Sequence, residues 1–423
     1  MSYRLLFRTS GRAVSAWAAV AVCARMPVAM APLAVVLLVR ERPGGYSLGA
    51  VLAAVYVVGE IIGAPLLGTR LRAERARPQL AAGLAVGACG FGALGLAHAV
   101  HPALLGVFAF VAGAAPGAAP GALRALLTRV TPDRAVPQAM SFESILTFGV
   151  WAVAPAATAG LALSVAPWVP LLLAGGLMAV SVPGLWLLPV GWVADGGKDQ
   201  ERASVRVLLR AWPAYVTGAA SLSLLAMAEL ILPALLEQRG FGVGLAGPLL
   251  AGFSIGSAVG AFVYGLRAWP GRLPTQSLVL VLGVSGCVAG VALVPWAGAI
   301  AAGLVVAGVL QAGAMLTRNL TLREMLPPGA LAAGYSVMYA AVGAGYAGSG
   351  SLAGAMLRVV PPSGAVLVGV GVTVVLGVAG FWGERGRSRV RGSGGSGGGR
   401  VCGVRLSRGR GPAVLLRAPR RSR

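Results

Sequence analysis

SILTFGVWAVAPAATAGLALSVAPWVPLLLAGGLMAVSVPGLWLLPVGWVA, residues 144–194, runs for 51 residues without an Asp, Glu, Lys or Arg. One bilayer crossing takes roughly 20 apolar residues, so this stretch holds most of two, parted near Ala166-Pro167. Two more uncharged runs, 78–123 and 273–317, are 46 and 45 residues long and hold two crossings each. The whole chain of 423 residues is 57% hydrophobic and only 11% charged, against about a quarter charged in soluble domains. An ordinary soluble enzyme is excluded.

The net charge of +23 invites a nucleic-acid reading, but its distribution argues otherwise. From Gly383 onward there are twelve Arg and one Glu, so nearly half of the excess is a Gly-, Ser- and Arg-rich tail. The other basic residues sit in short segments between apolar runs, where they set orientation in a bilayer and do not form a nucleic-acid surface. Cys23, Cys89, Cys287 and Cys402 are widely separated and form no metal-ligand or disulfide pattern. The chain has one lysine, Lys198, against 34 arginines, a composition that suggests a high-GC bacterial genome. Arg4, Arg8 and Arg12 precede an apolar stretch from Ala13 to Val39 that is too long for a cleavable signal and reads as a retained first helix.

Charged and Gly/Pro-rich segments as breaks predict helices near 13–39, 46–69, 79–100, 102–127, 136–164 and 167–190. After a charged linker, six more are predicted near 208–236, 243–266, 274–295, 297–317, 329–357 and 361–382. The expected organisation is an N-terminal segment (1–12), a six-helix bundle (13–190), a linker (191–207), a second six-helix bundle (208–382) and a disordered tail (383–423) that could lie on anionic lipid. Seventeen basic residues before the tail fall on the side of the termini and four on the other, which puts both termini and the linker in the cytoplasm of a cell-membrane protein. Shifting the chain by 197 residues lays Leu48 on Leu245, Gly59 on Gly256, Gly63 on Gly260, Gly68 on Gly265 and Arg70 on Arg267. Two related halves are the architecture in which a site forms between bundles and opens to each side in turn.

On these residues the chain resembles the major facilitator superfamily from about Ala13 to Trp382, which implies an all-α membrane fold of twelve helices in two pseudo-symmetric bundles. That family's loop after the second helix reads G-x-x-x-D-R-x-G-R. Here GTRLRAERAR keeps Gly68, but Arg72 stands at the Asp position and Ala73 at the first Arg, leaving a basic cluster of Arg70, Arg72 and Arg75 with an echo in GLRAWPGR, 265–272. A Gly-Pro-rich fifth helix, associated in the family with proton-coupled exporters, is suggested by GVWAVAPAATAG, 149–160. Similarity to family members also extends to RMPVAMAPLAVVLLV, 25–39, and ALRALLTRVTPD, 122–133.

Charges at bilayer depth cost about 2.5–3.5 kcal/mol on insertion scales and face cavities or partners. Arg25 and Glu60 lie at similar predicted depths and are expected to pair, either as a structural ion pair or as a substrate or proton site. Glu229, in AMAELILP, has no base in its own span and is a candidate for proton coupling or substrate contact, or else a merely hydrated or paired carboxylate. Arg124 and Glu143 are predicted near the ends of helices four and five, where reaching for water is favoured over a gate ion pair. Gly113, Gly117 and Gly121, and Gly350 with Gly354, recur every four residues as packing sites. His98 and His101 have no acidic or Cys neighbours in sequence to make a metal site. There is no G-x-x-x-x-G-K-[ST], G-x-S-x-G or H-E-x-x-H, so no metal, cofactor or enzyme chemistry is expected. The expected function is secondary transport of a small molecule by a monomer in the lipid bilayer, by proton-coupled efflux. An importer, a lipid flippase and a non-transporting membrane protein are the alternatives.

Overall fold

The computed structural model describes residues 3–42, 45–96, 100–189, 204–267 and 269–393. Among these there is no strand. The helices are α1 (Tyr3–Val39), α2 (Gly45–Arg70), α3 (Ala76–Leu96), α4 (Pro102–Ala114), α5 (Ala118–Val130), α6 (Val136–Ser164), α7 (Val169–Gly184), α8 (Val205–Leu209), α9 (Trp212–Gln238), α10 (Ala246–Leu266), α11 (Leu273–Leu293), α12 (Ala297–Met325), α13 (Leu331–Met356) and α14 (Pro362–Ser393). Together α4 and α5 make one crossing, interrupted at Ala115–Gly117 beside Pro116, where a missing N–H and a small residue loosen the helical ladder. Residues Met1–Glu384 form one compact unit that holds both six-helix halves.

Eleven segments of the described residues are long and apolar enough to cross a membrane. The twelfth expected crossing, α13, is 26 residues long, but its Tyr, Ser and Gly content lowers its hydropathy. It buries the first of those residues against other helices, with Tyr335 and Ser336 fully buried, while Tyr346 is 39% exposed. Apolar side chains such as Val51, Ile62, Trp151, Leu163 and Val180 are instead more than 45% exposed, which suits a surface in contact with lipid.

The repeated glycines explain how each half is built. Gly59 and Gly63 of α2 lie against the backbone of Phe110 and Ala114, and Gly256 and Gly260 of α10 lie against the backbone of Val305 and Val309. A Cβ at any of the four would overlap backbone atoms of the neighbouring helix, so the close approach requires Gly. Gly113 and Gly117 return the contact from the other helix, whereas Gly354 meets nothing within 4 Å. The expected packing role fails at that position.

Helix ends match expectation where a turn breaks the chain, and depart from it where a charge was read as a break. The tenth crossing was expected to stop at Thr317, before Arg318, but α12 continues to Met325 with Arg318 folded inside at 4% exposure. His101 is the N-cap of α4, its Nδ1 accepting from Ala103 N at 3.2 Å. His98, most of the 191–207 linker and the tail beyond Ser393 lie outside the described residues.

Candidate functional site

Five crossings deliver polar side chains to one cluster. The α5–α6 turn is short, so the two helices run antiparallel and Arg124 faces Glu143 across them; α1 packs along α6 and brings Arg25 to the same carboxylate. Glu143 Oε1 accepts from Arg25 Nη2 at 2.6 Å, from Arg124 Nη2 at 2.6 Å and from Arg124 Nε at 3.2 Å. Thr147 Oγ1, one turn further along α6, accepts from Arg25 Nη1 at 2.9 Å. The guanidinium of Arg25 lies 5.8 Å from the centroid of Trp17, whose indole N–H donates to Leu123 O at 2.7 Å and ties α1 to α5. Glu143 is 1% exposed, and both arginines converge on its Oε1.

The expected Arg25–Glu60 pair does not form. Arg25 faces α6 and binds Glu143, while Glu60 accepts at Oε1 from the Tyr339 hydroxyl of α13 at 3.1 Å. Matched depth is not sufficient for contact, because rotation about each helix axis decides which neighbour a side chain meets. Arg124 and Glu143 do not reach for water either; their ends of α5 and α6 are covered by α13 and α10, and both residues are buried. With Glu60 ionised the four groups Arg25, Arg124, Glu143 and Glu60 sum to zero, and with Glu60 protonated to +1.

Helix α13 carries the connection between halves. Tyr335, Tyr339 and Tyr346 are spaced by four and seven residues, which places them on one face. The Tyr335 ring lies 5.6 Å from the Arg124 guanidinium, Tyr339 donates to Glu60, and Tyr346 donates to Glu229 Oε2 at 3.1 Å. Glu229 borders a small apolar cavity with Leu225, Phe253, Val288 and Gln311. The three tyrosines were missed at the level of sequence, where attention went to charges; their period in the least apolar crossing was the available signal.

Contacts between the halves gather on the side of the termini. Arg323 Nη2 and Asp133 Oδ1 form an ion pair of 2.6 Å, Gln138 Nε2 donates to Gly265 O at 2.9 Å, Ser141 Oγ donates to Ala261 O, and Gly68 and Gly121 both abut Ser336. Arg70, Arg72 and Arg75 of the basic loop are exposed on this same face, with Arg72 N donating to Gln79 Oε1 at 2.9 Å. The inter-half hydrogen bonds described here lie in the polar cluster or on this face, so the two bundles meet towards the termini.

The sequence profile described as Major Facilitator Superfamily matches residues 17–300, well over half of the chain. The chain belongs to the major facilitator superfamily. Members of this superfamily are membrane transporters and not enzymes. Solved structures agree on the fold. The human organic anion transporter MFSD10 superimposes with a TM-score of 0.69 at 16% identity, covering 87% of this chain and 99% of its own. FucP in the outward conformation gives 0.66 at 13% identity, covering 90% and 99%. The proton:xylose symporter XylE gives 0.66 at 11% identity, covering 89% and 95%. No curated protein matches. The cluster around Glu143 therefore sits where the two bundles of a superfamily fold meet.

Proposed function

We propose that this protein is a proton-coupled exporter of a small molecule, working by alternating access, with the terminal face in the cytoplasm of the cell membrane. The observation that carries the reading is the Tyr339–Glu60 hydrogen bond. It joins a carboxylate of the first half to a phenol of the second, beside a buried Arg25–Glu143–Arg124 network. Opening the terminal face draws α13 away from α2 and strips Glu60 of that donor. A carboxylate whose surroundings change between the two states takes up a proton in one and releases it in the other.

Orientation rests on the excess of basic residues on the terminal face; in that frame the closed side is cytoplasmic and the described state faces outward. The boundaries of the two bundles, 13–190 and 208–382, and a monomeric state belong to the same proposal. An anion transporter and a sugar symporter share this fold, so cargo follows from the residues at the passage and not from the fold.

Reconstituted liposomes carrying an imposed pH gradient test the reading, with solutes chosen by an accumulation screen in cells with and without the protein. Gradient-driven, saturable movement of unchanged solute is expected, lost in Glu60→Gln with monodisperse protein retained. Movement that ignores the gradient would remove proton coupling, and inward movement under the physiological gradient would make the protein an importer.

A further inference from the structure

The internal repeat extends to the charged helices. A shift of 194 residues lays Arg124 on Arg318, Leu126 on Leu320 and Arg129 on Arg323. A shift of 195 over the following helix lays Pro132 on Pro327, Ala135 on Ala330 and Ser141 on Ser336. The residue equivalent to Glu143 is therefore Met338. Each half buries an arginine at the same depth of its fourth helix, but only the first half supplies a carboxylate to it.

The contacts agree with this asymmetry. Arg124 is held by Glu143 at 2.6 Å, whereas Arg318, 4% exposed, makes one long hydrogen bond, Nη1 donating to Thr217 O at 3.4 Å, and no ion pair among the described residues. Met338 is 3% exposed and its sulfur lies beside Gly218, the residue after Thr217, so both side chains converge on one turn of α9. Asn319, next to Arg318 and equally buried, leaves its Nδ2 without an acceptor. A guanidinium has five N–H donors, and burying it without an anion is among the larger penalties a fold sustains. Arg25 and Arg124 share Glu143, whereas Arg318 has no carboxylate within ion-pair distance among the described residues.

We propose that Arg318 is the substrate-anchoring residue of the second half and that the transported molecule is an organic anion, whose carboxylate or phosphate oxygen takes the place that Glu143 fills in the first half. This rests on the transporter reading and names its cargo class. Parting of the halves at the terminal face uncovers α12 and α13 and gives an anion access to Arg318.

The test is thermal unfolding of the purified full-length protein in detergent, with benzoate, citrate and glucose 6-phosphate set against benzyl alcohol, glucose and benzylamine. At least one anion is expected to raise the melting temperature above its neutral counterpart, the carboxylates and the phosphate ester separating the two oxygen sources. Arg318→Gln should weaken that anion's apparent affinity at least about tenfold, the loss of a charge-assisted hydrogen bond, with partial recovery in Arg318→Lys. Should Arg318→Gln fail to fold, Met338→Glu decides: it supplies the missing carboxylate, and should raise the ligand-free melting temperature while abolishing the anion response. The proposal is overturned if no anion outperforms its neutral counterpart, or if Met338→Glu responds as the wild type does. Gradient-driven transport of a neutral solute without an anion response would sink this proposal and leave the transporter reading standing; anion binding without gradient-driven movement would do the reverse.

Discussion

Glu143→Gln is the substitution most diagnostic of the buried network. Its Oε1 atom holds one nitrogen of Arg25 and one of Arg124 at 2.6 Å each, so those two nitrogens are at most about 5 Å apart. Without the carboxylate, two unit charges at that separation repel by ~3 kcal/mol at an effective dielectric of 20. Removing one partner of a buried pair costs about 3–5 kcal/mol by itself in measured cases, and the two figures describe overlapping physics, so a loss of about 3–5 kcal/mol is expected. At roughly 2 °C per kcal/mol for a large domain, the melting temperature in detergent should fall by at least ~6 °C. Arg25→Gln leaves a one-to-one Arg124–Glu143 pair and should cost much less. The double variant Glu143→Gln with Arg25→Gln removes the repulsion and should be more stable than Glu143→Gln alone, a coupling that only neighbours show. Arg25→Gln as damaging as Glu143→Gln, or additive losses in the double variant, would refute the shared-carboxylate account.

Three further outcomes are expected. Glu229→Gln should abolish pH-gradient-driven transport with folding intact, and Tyr346→Phe, which removes the 3.1 Å hydrogen bond to Glu229, should reduce it; transport in liposomes reads both. Asp133→Asn breaks an ion pair whose carboxylate is 89% exposed, so stability should change by less than about 1 kcal/mol, yet a term of that size shifts a two-state gate up to ~5-fold. Faster labelling of Ser336→Cys in a cysteine-free background measures that shift, and the exchange of Asp133 with Arg323 should reverse it. Gly63→Val and Gly260→Val should each lower the melting temperature, because overpacking costs about 1–3 kcal/mol or more and the clash is with backbone; Gly160→Ala, with nothing within 4 Å, should leave it unchanged.

The sequence carried the fold well because its signal is one-dimensional: the uncharged runs, the repeat of Gly59 and Gly63 in Gly256 and Gly260, and the basic bias between sides all depend on position along the chain alone. The site was legible in its ingredients and not in its pairings. Arg25, Glu60, Arg124 and Glu143 stood out as charges in apolar surroundings, but the partner of each depends on the azimuth of its helix, which the uniformly apolar faces of these crossings do not encode. Treating Arg318 as a helix end cut α12 short and hid its burial, which becomes visible once the fourth and tenth crossings are aligned on their arginines. The tyrosines of α13 escaped because a phenol carries no formal charge and its role appears only when a carboxylate is found within reach.

A helix of 26 residues is a rod of about 39 Å, and α13 bears its three phenols rigidly along that length. On the proposed mechanism, moving α13 away from the first half loosens the hold on Arg124 and on Glu60 in unison, while Glu229, on α9 of the same half, travels with it, and no relay of side chains is needed to carry the message. On that mechanism, synchrony between the guanidinium of Arg124 and the carboxylate of Glu60 is a matter of stiffness, and a proline in the middle of α13, which would kink the rod and re-aim its phenols, should uncouple the events.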